Sequence, residues 1–383
     1  MSLLAPSLKA DTWLAWRDRL LASPRFQRWA TAFLPTRFIA RRRARELFDL
    51  CAGFVYSQVL AVCVRLRLFE FLAERPATVA ELAPRLTLPL EATERLLEAA
   101  RALRLVERRE GRRYGLGVLG AALLGNPGVA AMVEHHRLLY ADLLDPVALL
   151  RGERDTELSR YWAYARRAQP DAADAAQVAD YTALMSASQP LVAGEVLDAY
   201  PLRRHRCLLD LGGGDGTFAV AAAARAAQLR IVLFDLPAVA ERARARFAAA
   251  GIADRATAVG GDFCRDPLPC GADVVSLVRI VHDHDDDAAL CLLRAARAAL
   301  APGGTLLLAE PMAEAPGAEP VAAYFHLYLW ALGQGRPRSA QRLAELLQEA
   351  GFDDVRRQRT RAPLLAGVLL ATATGASRSV NGA

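Results

Sequence analysis

Lysine is almost absent from this chain. Lys9 is the only lysine in 383 residues, although lysine and arginine together number 48. The formal net charge of +6 is therefore an arginine charge, and arginines concentrate in the segment from Arg17 to Arg45. Because the excess charge is local, it predicts a basic N-terminal segment rather than a chain that is basic throughout.

Paired cysteines and long apolar runs are also missing. The six cysteines form no C-x-x-C pair and have no histidine at metal-ligand spacing, which argues against a disulfide framework and a zinc site. No stretch of about 18 uninterrupted apolar residues occurs. The most apolar segment, Leu50 to Val64, predicts a buried helix. The start, Met1 to Trp16, does not have the pattern of a signal peptide, so we expect a cytoplasmic protein with reduced thiols.

The length and the pattern of apolar residues predict several parts. At 383 residues, 53% hydrophobic and 23% charged, the chain is expected to fold into about two globular domains. We predict an amphipathic arm over residues 1–45, a helical winged-helix domain over 46–190, an α/β domain over 191–375 and a disordered tail over 376–383.

The predicted arm alternates aromatic residues with arginines, which suits a membrane headgroup interface or the surface of a partner subunit, and both interpretations stay open. Its aromatic residues are Trp13, Trp16, Phe26, Trp29, Phe33 and Phe38.

A winged helix is indicated by two short helices followed by two strands. Thr78 can cap the first helix, the second runs from Leu90 to Leu103, and the strands flank the turn at Glu110-Gly111. Winged helices often bind DNA, but Glu91, Glu94 and Glu98 on the second helix would repel phosphates. We therefore expect this domain to contact protein, and no nucleic acid is expected.

The α/β domain begins with a glycine-rich turn after an apolar strand. Cys207–Leu211 leads into Gly212-Gly213-Gly214-Asp215-Gly216-Thr217, a turn that lets the backbone approach a ligand closely. The second strand ends in Asp235, about twenty residues further on, where a carboxylate can bind a ribose diol. Thr217 stands where dinucleotide-binding enzymes usually have a small residue, which argues against a nicotinamide cofactor.

Three further positions follow the later strands. Asp262 and Phe263 come after the third strand, His282 after the fourth and Glu310 after the fifth, so all are expected at one sheet edge. Neutral imidazole is a natural acceptor for a hydroxyl proton, and Glu310 could orient it. His282 with His284 could alternatively bind a metal ion.

Taken together, these motifs resemble the class II S-adenosylmethionine-dependent O-methyltransferases, which carry an N-terminal winged-helix dimerisation domain. The resemblance covers about residues 46–370 and implies a C-terminal Rossmann-like methyltransferase domain, a homodimer and no metal. It implies His282 as general base with Glu310 as its partner. The residues that it assigns to S-adenosylmethionine are Asp210, Gly212, Gly214, Gly216, Asp235, Asp262, Phe263, Asp283 and Met185.

Two positions depart from the family pattern. His284 stands where the family commonly has tryptophan, and Pro337 stands where a second catalytic carboxylate is usual. The resemblance thus leaves Glu310 as the only expected carboxylate on the base.

Within the family, the arm and the segment Tyr181–Gln189 resemble the bacterial carotenoid O-methyltransferases. This narrower resemblance implies a hydrophobic acceptor, the tertiary 1-hydroxyl of an acyclic carotenoid of photosynthetic membranes, and peripheral contact of a cytoplasmic enzyme with the inner or photosynthetic membrane. A phenol, a polyketide or a tetrapyrrole ring carbon remain alternative acceptors, and a regulator with S-adenosylmethionine as effector is the alternative of another class. The expected acceptor pocket comprises Tyr324, Phe325, His326, Tyr328 and Trp330.

Overall fold

A computed structural model of the chain describes residues 8–153, 155–161, 175–313, 317–363 and 365–373. The chain divides into two compact units, residues 1–121 and residues 122–383. Residues 122–190, which we expected to belong with the winged helix, are part of the second unit. The predicted tail over 376–383 lies outside the described residues.

The first unit is helical and ends in the predicted wing. Two antiparallel strands pair across a turn in which Gly111 has a φ of +69°. Thr78 caps the helix that begins at Val79, because its hydroxyl accepts a hydrogen bond from the Glu81 N–H. The winged-helix prediction is therefore confirmed. Its elements are α1 (Leu8–Ala22), α2 (Pro24–Ala32), α3 (Leu34–Arg65), α4 (Leu68–Glu74), α5 (Val79–Leu86), α6 (Leu90–Ala102), β1 (Val106–Arg109) and β2 (Arg113–Leu116), with α7 (Val118–Leu124) at the boundary between the units.

Helix α3 corrects one prediction. We expected the apolar segment from Leu50 to be buried, but Leu50 is 81% exposed and Phe54 68% exposed. Among the described residues, α3 is the one helix long and apolar enough to cross a membrane, and only 11% of its most apolar window is buried within the chain. An exposed apolar helix face of this size is typical of a contact surface, and a sequence pattern cannot distinguish such a helix from a core helix.

The second unit places helices before and around a single sheet. The leading helices are α8 (Pro127–Asp142), α9 (Pro146–Arg151), α10 (Glu157–Tyr161) and α11 (Ala175–Ala199). The strands are β3 (Cys207–Leu211), β4 (Arg230–Asp235), β5 (Ala256–Gly260), β6 (Ala272–Val278), β7 (Leu300–Glu310), β8 (Asp353–Gln358) and β9 (Gly367–Thr372). The helices that alternate with them are α12 (Thr217–Arg225), α13 (Pro237–Ala249), α14 (Asp286–Ala299), α15 (Glu319–Leu332) and α16 (Ala340–Glu349).

The sheet confirms the predicted doubly wound architecture. Its strand order is β5-β4-β3-β6-β7-β9-β8, with the first five strands parallel and β9 antiparallel to both of its neighbours. Helices pack on both faces, so every residue of β3 is buried and the strand is a continuous apolar run around Asp210. The carboxyl ends of the parallel strands share one edge, where ligands of such sheets bind.

Candidate active site

The glycine turn after β3 combines a packing requirement with an open surface. Gly212, Gly214 and Gly216 all have positive φ angles, between +61° and +84°. A Cβ on Gly216 would lie 2.6 Å from Cε1 of Phe247, whereas a Cβ on Gly214 would meet no atom within 4 Å. Gly216 is therefore required by the fold. Gly214 presents bare backbone to open space, as a loop that approaches a ligand must.

Asp235 is the last residue of β4, and its carboxylate connects the end of that strand to the glycine turn. Its Oδ2 accepts a hydrogen bond from the Gly214 N–H at 2.8 Å, and its Oδ1 accepts one from the Leu236 N–H at 2.7 Å. Burial raises the pKa of Asp235 to about 6. Each carboxylate oxygen has a lone pair left, so the group can accept two further hydrogen bonds, as a ribose diol requires.

Asp210 lies beneath the turn with an unsatisfied oxygen. Its Oδ1 accepts the Ser276 hydroxyl at 2.6 Å, but its buried Oδ2 has no hydrogen-bond partner among the described residues. Burial raises the pKa of Asp210 to about 7. A buried unpaired oxygen costs on the order of 1–3 kcal/mol, and a cationic ligand group would relieve that cost. S-adenosylmethionine carries an ammonium and a sulfonium, so the residues present fit this cofactor.

Asp262 and Phe263 follow β5 at the same edge. Asp262 Oδ1 accepts the Cys264 N–H at 2.9 Å, and its Oδ2 lies 3.5 Å from Arg265 Nε, so the carboxylate organises its own turn. The Phe263 ring packs edge-on against His284, with ring centroids 5.2 Å apart. His284, which replaces the family tryptophan, is thus a ring neighbour of Phe263. The assignment of Asp262 and Phe263 to the adenine stays a prediction.

His282 and Glu310 meet as the sequence predicted. His282 lies in a short 3₁₀ turn after β6, and its Nδ1 is 2.5 Å from Oε2 of Glu310 at the end of β7. The other oxygen of Glu310 accepts the N–H groups of Ile280 at 3.0 Å and Val281 at 2.6 Å. Glu310 is only 1% exposed. These bonds fix the carboxylate, which in turn fixes the imidazole and keeps the Nδ1 proton in place.

Asp283 supplies a second carboxylate, on the opposite side of the ring. Its Oδ1 lies 3.2 Å from Nε2 of His282, and both side chains are nearly buried. Burial alone would lower the pKa of His282, but the charges of Asp283 and Glu310 and the Glu310 hydrogen bond outweigh it and raise this pKa above the ordinary histidine value. Burial also raises the pKa of Asp283.

Arg279 is a site residue that sequence reasoning missed. It has a φ of +62°, and its N–H donates to the Ala309 carbonyl at 2.8 Å. Its guanidinium donates to the Ser188 hydroxyl at 2.8 Å and lies 3.3 Å from the Met185 sulfur. Met185, predicted near the sulfonium, is therefore held at the end of β6 by an arginine. The only signal for Arg279 in the sequence was its position directly after a parallel strand.

The five residues of the predicted acceptor pocket all lie on α15, but they do not share one pocket. Phe325 packs edge-on against His282 with ring centroids 5.8 Å apart, and it also contacts Tyr324 and Tyr328. His326 and Trp330 instead line a cavity of about 540 Å³. The other lining residues are Leu149, Gly152, Asp155, Thr156, Ser159, Asp285, Leu329, Gly333, Gln334, Gly335, Arg336 and Pro337.

The alternative metal site can also be compared with the structure. His282 is engaged by Glu310 and Asp283, whereas His284 packs against Phe263. Within the described ranges no group of three or more histidine, cysteine, aspartate or glutamate side chains could hold a metal ion.

The fold and this edge of the sheet define the class. A doubly wound sheet with a glycine turn, a buried acid at the end of the next strand and a histidine with a fixed carboxylate is the arrangement of an S-adenosylmethionine-dependent methyltransferase. Residues 140–353 match the O-methyltransferase domain, and residues 48–126 match the O-methyltransferase dimerisation domain. The chain belongs to this O-methyltransferase family and uses S-adenosylmethionine as its methyl donor. Its dimerisation domain, which includes the second half of α3, supports a homodimer.

Individual relatives agree with this assignment. The chain is 45% identical over 341 residues to demethylspheroidene O-methyltransferase of Cereibacter sphaeroides, covering 88% of this chain and 89% of the relative. The enzyme of the same name from Rhodobacter capsulatus is 39% identical over 340 residues, covering 86% and 82%. Among solved structures, human N-acetylserotonin methyltransferase in complex with S-adenosylmethionine matches with a TM-score of 0.72 and 25% identity, covering 87% of this chain and 98% of that one.

Proposed function

We propose that this enzyme methylates the tertiary 1-hydroxyl of an acyclic carotenoid, in the synthesis of the carotenoids of photosynthetic membranes. The observation that carries the proposal is the 45% identity over 88% of the chain to a demethylspheroidene O-methyltransferase. The second relative of that name, from another organism, supports the same acceptor class.

The cofactor roles follow the contacts at the sheet edge. In this proposal the backbone of Gly212, Gly214 and Gly216 cradles the amino acid part of S-adenosylmethionine, Asp235 accepts its ribose hydroxyls and Asp210 faces its positive charge. Asp262 and Phe263 lie toward the adenine. The ring of His284 against Phe263 supports this, because it supplies an aromatic neighbour where the family has tryptophan.

Met185 and Arg279 contact each other close to the proposed base. Met185 Sδ and Arg279 Nη2 are 3.3 Å apart, beside the turn that carries His282. We assign Met185 to the sulfonium end of the cofactor and Arg279 to holding Met185 in place, through its bonds to Ser188 and Gln189 on the same helix.

The proton of the acceptor goes to His282. Because Nδ1 donates to Glu310, Nε2 is the nitrogen that can accept the hydroxyl proton. The acceptor oxygen forms its bond to the methyl carbon as the carbon-sulfur bond breaks and the O–H bond transfers its proton to Nε2, which leaves the methyl ether and S-adenosylhomocysteine. A tertiary alcohol is a far weaker acid than a phenol, so water exclusion and in-line placement must contribute much of the rate.

The aromatic residues beside His282 fit an apolar acceptor. The Tyr328 hydroxyl bonds to Nε2 of His135, and the Tyr324 hydroxyl bonds to Nε2 of His136, each at 2.9 Å. Burial lowers the pKa of His135 to about 4 and raises that of both tyrosines, so these groups are uncharged at neutral pH. Since their polar ends satisfy each other, the aromatic faces that remain are apolar, as a polyene requires.

The arm supports peripheral contact of a cytoplasmic enzyme with the membrane in which such an acceptor dissolves. Trp13 and Trp16 are 58% and 60% exposed on α1, and Phe38 is 75% exposed near the start of α3. Exposed aromatic rings among arginines are typical of a membrane interface. Flotation of the chain with vesicles containing anionic lipid tests this contact. Alanine at Trp13, Trp16 and Phe38 should abolish flotation, and unchanged flotation would assign these side chains to the partner subunit instead.

The decisive assay is methyl transfer from labelled S-adenosylmethionine to demethylspheroidene or hydroxyneurosporene in detergent micelles, with His282→Ala alongside. Methoxy product from the native chain alone establishes both the acceptor and the base. If S-adenosylmethionine binds but no carotenoid is methylated, the carotenoid assignment is wrong, and phenols, polyketides and tetrapyrroles become the acceptors to test. If His282→Ala turns over at the native rate, the assigned base is wrong.

A further inference from the structure

Asp283 occupies an unexpected place in the site. The family resemblance suggested a contact with the cofactor, yet its Oδ1 lies 3.2 Å from Nε2 of His282, the nitrogen that must receive the acceptor proton. Glu310 holds the other nitrogen at 2.5 Å. The imidazole is therefore enclosed by two carboxylates from opposite sides, although Pro337 stands where the family pattern would place the second one.

This geometry requires a proton between Asp283 and His282. If Nδ1 donates to Glu310 and the ring is neutral, Nε2 presents a lone pair to Asp283, and two acceptors at 3.2 Å repel each other. A proton on Nε2, or on Asp283, converts the repulsion into a hydrogen bond. Both groups are nearly buried, so water cannot easily substitute for that proton.

We propose that Asp283 is a positioning residue that stabilises the proton taken from the acceptor on Nε2 of His282. In the reaction class proposed above, the acceptor O–H bond breaks as an Nε2–H bond forms, while the oxygen gains the methyl group and the sulfur keeps the electron pair of the broken bond. The imidazolium that results donates one N–H to Glu310 and the other to Asp283. The two carboxylates are already placed to accept from this imidazolium, and its Nε2 proton must be released before the next turnover.

The charges around His282 agree with this role. The charged groups that face it are Glu310 from β7, Asp283 from its own turn and Arg279 from the end of β6. His284, whose pKa burial lowers to about 4, and Tyr328 on α15 are its neutral neighbours. Arg279 opposes protonation of His282, and its guanidinium is bound toward Met185, Ser188 and Gln189. The two carboxylates outweigh it, so the conjugate acid of the base is favoured.

The first test measures the protonation of His282 without any acceptor. The chain has six histidines, so the ring signals of ¹³C-labelled histidine can be followed against pH in the complex with S-adenosylhomocysteine, and His282→Gln identifies the signal by its loss. In the native chain His282 should titrate above the ordinary value of about 6.5. Asp283→Asn should lower its pKa by about one to three units. Asp287→Asn, which changes an exposed carboxylate four residues away, should leave it unchanged.

The second test separates this role from cofactor binding. Asp283→Asn should move the acid limb of kcat/KM to lower pH in parallel with the His282 titration and lower kcat about tenfold, while the Kd for S-adenosylmethionine stays the same. Asp283→Glu should restore part of the raised pKa. An unmoved His282 titration in Asp283→Asn, or a tenfold weaker cofactor complex with an unchanged pH profile, would overturn the proposal. Because the titration needs no acceptor, it decides the role of Asp283 even if the carotenoid assignment fails.

Discussion

Glu310→Gln is the substitution that most directly tests how the base is built. The side chain is buried, and Oε1 accepts the N–H groups of Ile280 and Val281 while Oε2 accepts Nδ1 of His282. Glutamine has the same shape, and its carbonyl oxygen can keep both backbone bonds. Its amide nitrogen then faces Nδ1 as a donor, so Nδ1 must become the acceptor. The imidazole proton moves to Nε2, the nitrogen that has to receive the acceptor proton.

The size of the effect follows from this change of tautomer. In serine proteases, the same exchange of carboxylate for amide behind a catalytic histidine lowers kcat about 10⁴-fold with little change in geometry. We expect Glu310→Gln to lower kcat about 10³- to 10⁴-fold, on the order of 4–5.5 kcal/mol of transition-state stabilisation. The assay is methyl transfer from labelled S-adenosylmethionine under saturating acceptor, with cofactor affinity measured calorimetrically as a test of correct folding.

The matched control is Glu349→Gln, which removes an exposed carboxylate that pairs with Arg342 at 3.1 Å, far along the chain from the base. Its activity should equal that of the native chain. A loss of less than tenfold in Glu310→Gln, with cofactor binding intact, would show that tautomer control by Glu310 does not determine the rate, and the assignment of His282 as a base fixed by this carboxylate would have to be abandoned.

Three further predictions concern the residues assigned to the cofactor and the buried tyrosine of α15. Asp235→Asn should weaken S-adenosylmethionine binding about tenfold or more through two weakened hydrogen bonds. Because the pKa of Asp235 is raised to about 6, the affinity of the native chain should fall as the pH drops below that value. The affinity of the variant, measured by calorimetric titration, should show no such pH dependence. Gly216→Ala should lower thermal stability more than Gly214→Ala, because its Cβ would also meet Phe247. Gly214→Ala should cost only the strain of a left-handed alanine, about 1–2 kcal/mol, and should weaken cofactor binding; equal melting temperatures would contradict this. Tyr328→Phe should cost about 1–3 kcal/mol of unfolding free energy by leaving buried His135 Nε2 unpaired, which chemical denaturation measures.

The sheet edge could be predicted from sequence for a physical reason. Strands buried on both faces read as short continuous apolar runs, and the residue that follows each parallel strand must lie at the same edge. Asp235, His282 and Glu310 each follow such a run, so their proximity required no knowledge of the side chains between them. The pairing of His282 with Glu310 is confirmed on this basis.

Contacts that depend on side-chain direction could not be predicted in the same way. Nothing in the order of His282 and Asp283 shows that the second residue turns back onto the ring of the first, because a tight 3₁₀ turn decides this. The two groups of pocket residues on α15 could have been predicted from their spacing. Tyr324, Phe325 and Tyr328 fall on one side of a 3.6-residue period, and His326 falls on the other. The exposure of α3 was not predictable, since an interface helix and a core helix have the same composition.

The strength of the base bears on which acceptor the site is built for. A general base transfers a proton most effectively when its conjugate acid is not far stronger than the group it deprotonates. A phenol is acidic enough to be served by an ordinary histidine, whereas an aliphatic alcohol benefits from every increase in the basicity of the acceptor nitrogen. Two carboxylates on one imidazole provide that increase, and its cost is that less of the enzyme has a free base at neutral pH. Such a compromise suits a weakly acidic aliphatic hydroxyl, and it would only slow an enzyme whose acceptor was a phenol.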